Sequence, residues 1–508
     1  MKLSQLLSEI GPYSLAGSPE TEVCSLAYSS RQVAAGGLFV AVRGLKTDGH
    51  LYIGAALSRG AVVVVSEEDV EEVRAAGAAL VRVPDSRAAL ARLSCTYHGH
   101  PARELKLVGI TGTNGKTTTS YLVESVLREA GARVGVIGTI NYRFGGASRP
   151  ALQTTPESLD LQRLLREMAD AGTTHVVMEV SSHALDLKRV DGCVFDVVVF
   201  TNLTRDHLDY HQDMERYFTA KRRLAVEMLS TEKNSEGKAG LAVVNLADPW
   251  GERFRQAAGS AISFGTDEAD VRVTTFSAGL GGMEATLATP AGTLAVRSPL
   301  IGRHNLENIM AAVGAGLALG LEPETIERGV AGLRLVPGRL QPVPNRAGIH
   351  VLVDYAHTDD ALAHALGALR QAGATRLTCL FGCGGDRDRG KRPLMGREAG
   401  KLADFVVVTS DNPRTEDPEA IIADITPGLE AVRCRRREPE NRAGGRGYTV
   451  VADRAEAIGL AIRQAAPGEV VLIAGKGHED YQIVGQTRRH FDDAEIAAAV
   501  LDGLEVAA

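Results

Sequence analysis

Continuous apolar runs recur along this chain and alternate with segments of helical periodicity. Four such runs are residues 61–65, 105–110, 176–180 and 470–474. A strand with one solvated face alternates apolar and polar residues, whereas a strand covered on both faces is apolar throughout. The pattern therefore predicts an α/β fold in which helices cover both faces of largely parallel sheets.

The length of the chain, 508 residues, predicts several domains, because a single hydrophobic core rarely grows to that size. His98-Gly99-His100-Pro101 precedes one apolar strand, and a stretch rich in proline and glycine, 332–344, separates two α/β blocks. We predict three domains, at 1–100, 101–335 and 336–508. The basic and then glycine-rich stretch 433–447 is interpreted as a solvated loop.

Composition argues against several classes of protein. The net charge of -7 is unlike that of a general binder of nucleic acid or membrane surfaces. No apolar run reaches the roughly 20 residues of a membrane helix, and the N-terminal segment lacks the apolar core of a secretory signal. The six cysteines are scattered without a CxxC pair, as is typical of reduced thiols. We expect a cytoplasmic protein without nucleic-acid partners or membrane insertion.

A glycine-rich sequence joins the apolar strand at 105–110 to a helical segment. It reads Gly112-Thr113-Asn114-Gly115-Lys116-Thr117-Thr118. Backbone N–H groups of such a turn, together with the helix N-terminus, bind phosphate oxygens. Lys116 is predicted to reach the β and γ phosphates and Thr117 to ligate Mg²⁺. The loop departs from the strict Walker A pattern at Ile110, but lysine and threonine are in register, which indicates nucleotide binding.

Two polar segments follow other apolar strands. Glu179 ends the strand at 176–180, where α/β sheets place ligand-binding residues, and is expected to complete the Mg²⁺ shell, with a capping carboxylate as the alternative. The segment 202–211 contains two histidines and two aspartates after the strand at 197–200. It is interpreted as a second metal site or an acid–base site, or as a pair of structural histidines.

Six motifs occur in an order that resembles the Mur ligases, over roughly residues 25 to 495. They are 112–118, 179–183, 202–211, Gly302-Arg303-His304-Asn305-Leu306-Glu307-Asn308, Asp354-Tyr355-Ala356-His357 and Gly475-Lys476-Gly477-His478-Glu479. Two more segments, 381–392 and Asp411-Asn412-Pro413-Arg414, are similar to those of members that add meso-diaminopimelate to UDP-N-acetylmuramoyl-L-alanyl-D-glutamate.

This resemblance implies a reaction and a fold. The implied fold has an N-terminal UDP-binding α/β domain, a central phosphate-loop domain with a parallel sheet, and a C-terminal Rossmann-like α/β domain. The implied enzyme is a monomeric, ATP- and Mg²⁺-dependent amide ligase of peptidoglycan precursor synthesis, and hence of cell-wall biogenesis, cell shape and cell division. In its reaction the D-glutamate γ-carboxylate attacks the γ-phosphate, and an amino group displaces phosphate from the resulting acyl phosphate.

Residue roles carry over from the resemblance. The implied catalytic residues are Lys116, Glu179, His207 and Lys221. The implied ATP contacts are Gly112, Thr113, Asn114, Gly115, Lys116, Thr117, Thr118, Asn305, Asn308, Arg339 and Asp354. The implied metal groups are Thr117, Glu179, His207 and carbamylated Lys221. For Lys221, an ordinary surface lysine is the alternative.

The resemblance also implies the contacts to the other two substrates. Those to the UDP-muramoyl dipeptide are Tyr28, Ser30, Leu45, Lys46, Thr47, Gln153, Thr154, Thr155, Ser181 and Arg189. Those to diaminopimelate are Arg387, Asp411, Asn412, Pro413, Arg414, Gly475 and Glu479. Leu187 occupies a position where some members carry a polar substrate contact.

Arg414 is expected to select the amino acid, because a guanidinium can pair with the second carboxylate of diaminopimelate, which lysine lacks. Four alternatives stay open at this point. They are an L-lysine-adding ligase, against which Arg414 argues, a ligase like folylpolyglutamate synthetase, a phosphate-loop switch or motor, and a non-catalytic relative.

Overall fold

The computed structural model describes residues 1–230, 239–438 and 446–507. The chain forms two compact units. The N-terminal unit comprises Met1–Val273, Ala288–Leu294 and Glu307–Gly329. The C-terminal unit comprises Thr274–Leu287, Ala295–Leu306 and Val330–Ala508. The predicted α/β class is confirmed, while the domain boundaries at 100 and 335 stay a prediction.

The first sheet of the N-terminal unit has five strands in the order β1-β5-β4-β3-β2. They are β1 (Ser14–Ala16), β2 (Ser25–Ala27), β3 (Gly37–Val40), β4 (Ala61–Ser66) and β5 (Ala79–Arg82). Only β1 runs antiparallel to its neighbour. The associated helices are α1 (Leu3–Leu6), α2 (Ile53–Ser58), α3 (Glu71–Ala75) and α4 (Ser86–Tyr97).

The second sheet of this unit has eight strands in the order β13-β12-β11-β6-β10-β7-β8-β9. They are β6 (Lys106–Thr111), β7 (Val134–Ile137), β8 (Asn141–Phe144), β9 (Ala147–Pro150), β10 (His175–Glu179), β11 (Val197–Phe200), β12 (Leu241–Asn245) and β13 (Ala261–Phe264). Strand β6 pairs in parallel with both β10 and β11, so the connections that follow these three strands meet at one sheet edge.

Helices cover both faces of the second sheet. They are α5 (Lys116–Glu129), α6 (Ser158–Asp170), α7 (Ser182–Asp186), α8 (Leu208–His211), α9 (Met214–Glu227) and α10 (Gly251–Ala258). The strands β7, β11 and most of β6, β10 and β12 are buried, as their continuous apolar sequences predict. The apolar positions of α5 are buried against this sheet, which fixes where its first residue, Lys116, lies.

A separate sheet and two helices come next along the chain. The sheet has the order β14 (Arg272–Gly279), β15 (Gly282–Thr289), β16 (Gly292–Ser298). The helices are α11 (Arg303–Ala318) and α12 (Pro323–Gly332).

The main sheet of the C-terminal unit has seven strands in the order β17-β18-β23-β19-β20-β22-β21. They are β17 (Gln341–Val343), β18 (His350–Asp354), β19 (Leu377–Phe381), β20 (Phe405–Val408), β21 (Arg435–Arg436), β22 (Gly447–Val450) and β23 (Val470–Ala474). A hairpin of β24 (Tyr481–Val484) and β25 (Thr487–His490) follows. The helices are α13 (Asp359–Gln371), α14 (Lys391–Leu402), α15 (Pro418–Ala431), α16 (Arg454–Arg463) and α17 (Asp493–Ala507).

One loop prediction needs correction. The sequence predicts a solvated loop over 433–447, yet Arg435–Arg436 pairs with β22 as the edge strand β21. Exposed arginines at an edge are compatible with a strand, since charged side chains protect sheet edges. Residues 439–445 of this stretch lie outside the described residues. Across the described ranges, none of the helices combines the length and apolarity needed to cross a bilayer.

Candidate active site

The predicted phosphate loop connects β6 to α5 through Gly112 and Gly115, with φ of 148° and 84°. Both angles lie in the region that favours glycine. A Cβ at Gly112 would collide with the Thr201 hydroxyl, which itself donates to the Asn114 carbonyl at 2.6 Å. The loop is therefore held against the segment that follows β11, and no larger residue fits at 112.

Two lysines converge on this loop. The Lys116 ammonium donates to the carbonyls of Gly112 at 2.9 Å and Thr113 at 2.8 Å. Lys221, on α9, donates to the same Gly112 carbonyl at 2.8 Å, and its side chain is 1% exposed. The interpretation of Lys221 as a surface lysine is therefore wrong. Burial, reinforced by the neighbouring Lys116 charge, holds the pKa of Lys221 well below its usual range.

Glu179 at the end of β10 is fixed beside the loop. Its carboxylate accepts the Thr117 hydroxyl at 2.9 Å, the Thr139 hydroxyl at 2.9 Å and the Thr139 N–H at 3.0 Å. The Thr139 hydroxyl also lies 3.1 Å from that of Thr154. Glu179 is 1% exposed, so these three contacts hold its carboxylate in one position. A carboxylate and a hydroxyl in contact are the hard oxygen donors that suit Mg²⁺.

The histidines of the segment 202–211 have different environments. His211 is buried with its Nε2 2.9 Å from the Ser182 hydroxyl, and burial lowers its pKa to about 4. His207 is about half exposed, and its Nε2 lies 3.5 Å from the Asp206 carboxylate. Its ring meets that of His183 edge to face at 4.9 Å, and burial lowers the pKa of His207 as well. His211 is thus a structural hydrogen-bonding residue.

The predicted second metal site is not assembled from histidines and carboxylates alone. Within residues 1–230, 239–438 and 446–507, no group of three or more His, Cys, Asp and Glu side chains could hold a metal ion. A Mg²⁺ site that relies on one or two protein oxygens and on substrate phosphates does not need such a group.

The residues predicted to contact the muramoyl dipeptide lie next to Glu179. Arg189 donates to the Gln153 side chain at 2.5 Å and to the Thr155 carbonyl at 3.2 Å. The Thr155 hydroxyl donates to the Glu179 carbonyl at 2.8 Å and accepts the Ser181 N–H at 3.1 Å. These contacts bring the end of β10 and the connection before α6 together.

The predicted UDP contacts lie in connections of the first sheet. Ser30 begins a short 3-10 helix. Leu45 is 65% exposed, Lys46 is also exposed, and the Thr47 hydroxyl lies 3.2 Å from that of Tyr52. The Tyr28 hydroxyl is already engaged, since it donates to the Asp160 carboxylate at 2.6 Å.

The two asparagines of α11 have different surroundings. Asn308 accepts the Thr119 hydroxyl at 3.3 Å, and a Cβ at Gly115 would collide with its side chain, so it lies against the phosphate loop. In the C-terminal unit, the Asn305 amide donates to the Ile301 carbonyl at 2.8 Å.

Asp354 and Arg339 form part of the C-terminal unit. The Asp354 carboxylate accepts the N–H groups of Leu340 at 2.7 Å and Ala356 at 2.8 Å, and burial raises its pKa. The half-buried Arg339 lies over the Tyr355 ring at 5.6 Å. Asp354 therefore fixes the backbone beside Arg339.

Asp411 and Asn412 follow β20 and meet the loop that follows β23. The Asn412 amide donates to the Glu479 carboxylate at 2.9 Å. The fully buried Lys476 ammonium lies 3.4 Å from the Asn412 oxygen, 3.6 Å from the Glu479 carboxylate and 3.7 Å from that of Asp411. Gly475 has a φ of 112°, and a Cβ there would lie 2.9 Å from Asp411 Oδ2. Lys476 belongs to the motif 475–479, but nothing in the sequence predicts a separate role for it.

Arg414 lies against a second glycine-rich loop. Its guanidinium donates to the Gly385 carbonyl at 2.7 Å. A Cβ at Gly384 would lie 3.0 Å from the Arg414 Nη1 and 3.7 Å from the Arg387 Cγ, so both arginines flank this glycine. Pro413 is buried, and a Cβ at Gly385 would collide with its carbonyl. The structure thus brings together the residues predicted to bind the amino acid.

Comparisons with known proteins agree with this arrangement. Three family models match successive stretches: "Mur ligase family, catalytic domain" at 22–98, "Mur ligase middle domain" at 110–316 and "Mur ligase, glutamate ligase domain" at 338–477. These models cover four of the five strands of the first sheet, the phosphate-loop region and the seven strands of the main C-terminal sheet in turn.

Relatives match over nearly the whole chain. A protein of Geobacter metallireducens named UDP-N-acetylmuramoyl-L-alanyl-D-glutamate--2,6-diaminopimelate ligase is 51% identical, with 98% of each chain covered. A protein of the same name from Geobacter sulfurreducens is 47% identical, with the same coverage. A solved structure of a ligase with this name is 34% identical, covers 99% of each chain and superposes with a TM-score of 0.70. This chain belongs to the Mur ligase family.

Proposed function

We propose that this chain is an ATP-dependent ligase that joins meso-2,6-diaminopimelate to the D-glutamate γ-carboxylate of UDP-N-acetylmuramoyl-L-alanyl-D-glutamate. The observation that carries the proposal is the convergence of Lys116, Lys221 and the Thr117–Glu179 pair on one phosphate loop. The relative that is 51% identical over 98% of both chains supports the choice of substrates.

The first step activates the carboxylate. An oxygen of the D-glutamate γ-carboxylate forms a bond to the γ-phosphorus of ATP, the bond from that phosphorus to the β–γ bridging oxygen breaks, and ADP leaves. This step brings anions together, so it needs fixed positive charge. Lys116 and the N–H groups at the start of α5 supply that charge, and Lys116 moves from the loop carbonyls to the phosphates.

The second step forms the amide. The amine of the amino acid bonds to the acyl carbon, the bond from that carbon to the phosphate oxygen breaks, and the amine loses a proton. Arg189, Gln153 and Thr155 hold the acyl substrate beside Glu179 in this proposal. Gln153, Thr154, Ser181 and Arg189 would contact its dipeptide part, and Tyr28, Ser30, Leu45, Lys46 and Thr47 its UDP part.

Thr117 and Glu179 would hold Mg²⁺, since a hydroxyl and a carboxylate within 2.9 Å of each other fit its preference for oxygen donors. When bound, the ion neutralises phosphate charge. His207 and carbamylated Lys221 are proposed for a second ion. Burial lowers the pKa of His207, which favours the neutral imidazole that can ligate a metal ion.

Lys221 is proposed to be carbamylated. The reaction forms a bond between the amine nitrogen and carbon dioxide, with loss of a proton, and it requires the neutral amine. Burial favours that neutral form in Lys221. The carbamate carries a negative charge that attracts the neighbouring Lys116 ammonium, whereas a protonated, unmodified Lys221 would repel Lys116.

Selection of the amino acid is assigned to the C-terminal unit. Arg414 and Arg387 flank Gly384 and would pair with carboxylates of diaminopimelate. Glu479 would pair with an ammonium, in a site completed by Asp411, Asn412, Pro413 and Gly475. A monomeric state and a cytoplasmic location, where ATP and nucleotide-linked sugars are available, are part of the same proposal.

The test is phosphate release by the purified protein with ATP, Mg²⁺ and UDP-N-acetylmuramoyl-L-alanyl-D-glutamate. We expect release with meso-diaminopimelate and not with L-lysine. Equal release with lysine would overturn the role of Arg414 and favour the lysine-adding alternative. Phosphate release without the nucleotide-linked sugar would favour a switch or motor. Release only with a folate acceptor would favour a ligase like folylpolyglutamate synthetase. No turnover at all would favour a non-catalytic relative.

A further inference from the structure

A buried charge network lies behind the residues assigned to the amino acid. Lys476 has a fully buried side chain, and its ammonium is 3.7 Å from Asp411 and 3.6 Å from Glu479. Behind it, Arg454 and Asp493 form an ion pair at 2.7 Å in which both side chains are fully buried. The network holds three carboxylates, those of Asp411, Glu479 and Asp493, and two cations, those of Lys476 and Arg454, and the Arg414 guanidinium also faces Glu479.

Burying the Lys476 ammonium costs free energy, and we relate that cost to the neighbouring amino-acid site. A buried ammonium requires paired charges and hydrogen bonds to offset its lost hydration. Lys476 obtains charged partners from Asp411 and Glu479, two carboxylates that would repel each other in its absence. Asn412 completes the arrangement, since it donates to Glu479 at 2.9 Å and its oxygen lies 3.4 Å from the Lys476 ammonium.

We propose that Lys476 is a positioning residue for the incoming amino acid, which keeps Glu479 ionised and oriented to pair with the substrate ammonium. The inference rests on the proposed function and deepens it. Lys476 itself does not touch the substrate in this account. It acts through Glu479, whose carboxylate pairs with the substrate ammonium.

This role has a pH signature. The charged and titratable groups that face Glu479 are Lys476, Asp411, Arg414, Arg454, Tyr355 and Tyr481. Burial raises the pKa of Glu479, Asp411 raises it further, and Lys476 opposes both. Removing Lys476 therefore raises the pKa of Glu479. As the pH falls, Glu479 then becomes protonated at a higher pH than in the wild type, and a protonated Glu479 cannot pair with an ammonium.

The experiment compares Lys476→Met with Lys401→Met, a control on the exposed face of α14. Steady-state kinetics between pH 6 and 9 give KM for each of the three substrates. For Lys476→Met we expect KM for diaminopimelate to rise about tenfold at neutral pH, as for a weakened charge-assisted hydrogen bond. It should rise further as pH falls, while KM for ATP stays unchanged. A KM for diaminopimelate that matches the control at every pH would overturn the proposal.

Two more variants separate positioning from a structural role. In a Glu479→Gln background, adding Lys476→Met should cause no further pH-dependent rise, because the group through which Lys476 acts is gone. Additive effects would contradict the proposal.

If Lys476→Met does not fold, Asp411→Asn tests the same electrostatics. It removes a charge that raises the pKa of Glu479, so the acid-side rise in KM should move to lower pH. A shift to higher pH, or none, would overturn the proposal. The wild-type assay separates this inference from the proposed function, because a wild type that does not use diaminopimelate refutes the function itself.

Discussion

Thr117 donates its hydroxyl to the Glu179 carboxylate at 2.9 Å across 62 positions of sequence. The first residue lies in the first turn of α5 and the second at the end of β10. The contact exists because β10 pairs in parallel with β6, the strand that leads into α5. Sheet pairing thus puts two oxygen donors of a proposed Mg²⁺ site in contact.

Replacing Glu179 by glutamine should lower kcat by about 100-fold, as expected when an electrostatic partner of the transferred phosphate is lost. The amide keeps the shape of the side chain but removes its charge, so the Mg²⁺ concentration for half-maximal rate should rise. Phosphate release across a Mg²⁺ titration measures both effects. Glu167→Gln, on the exposed side of α6, is the control. An unchanged Mg²⁺ dependence would contradict the assignment.

Activity should depend on carbon dioxide through Lys221. Because burial depresses the pKa of this amine, its neutral form, which reacts with carbon dioxide to form a carbamate, is favoured. Protein prepared in carbonate-free buffer should lose most of its activity and regain it with bicarbonate. Lys221→Met should be inactive and insensitive to bicarbonate. Equal activity of the wild type in both buffers would argue against the carbamate.

Arg414→Lys should weaken selection of the amino acid. Lysine at this position keeps the charge but cannot make the two parallel hydrogen bonds of a guanidinium. We expect kcat/KM for meso-diaminopimelate to fall by about 10- to 100-fold, the worth of charge-assisted hydrogen bonds. Kinetics with diaminopimelate and L-lysine measure it, with Arg397→Lys on α14 as control. Unaltered preference between the two amino acids would remove Arg414 from this role.

The buried Arg454–Asp493 pair should stabilise the C-terminal unit only as a pair. Arg454 also donates to the Ala474 carbonyl at 2.9 Å, at the end of β23. Arg454→Met leaves Asp493 buried without a partner and should lower the free energy of unfolding by about 3–5 kcal/mol. Adding Asp493→Leu should recover part of that loss. Urea unfolding measures both, and Arg488→Met, on the exposed hairpin, is the control.

A double variant no more stable than Arg454→Met alone would contradict this account. It would mean that the hydrogen bonds of Arg454 to the backbone, and not its charge pair with Asp493, carry the stabilisation.

The phosphate loop and the strands around it were predictable from sequence because their signals are local. A continuous apolar run indicates a strand covered on both faces, and β6, β10, β11 and β23 lie where those runs predict. The glycines at 112 and 115 adopt the positive φ values for which glycine is suited. The edge strand β21 could not be predicted in the same way, because it consists of two exposed arginines and so carries no apolar run.

Lys476 shows what sequence reasoning missed. Between two glycines, its residue type suggests an exposed loop lysine, and no periodicity marks it as buried. Lys476 meets Asp411, which lies on the loop after β20. In the sheet, β19 lies between β20 and β23, so the loops that follow β20 and β23 meet at the same sheet edge. The same limitation applies to Lys221, which is buried and donates to the Gly112 carbonyl, 109 positions away.

The sequence by itself determined the α/β class, the positions of the main strands, the phosphate loop and the family motifs. These follow from side-chain periodicity and from turn residues, which act over a few positions. The tertiary structure alone decided that Glu179 holds Thr117, that two lysines share the Gly112 carbonyl, and that Lys476 stands between two carboxylates. Those relationships depend on the order of strands within each sheet, and the resulting burial shifts the pKa values of Lys221 and Glu479. A local sequence pattern encodes neither the strand order nor the burial.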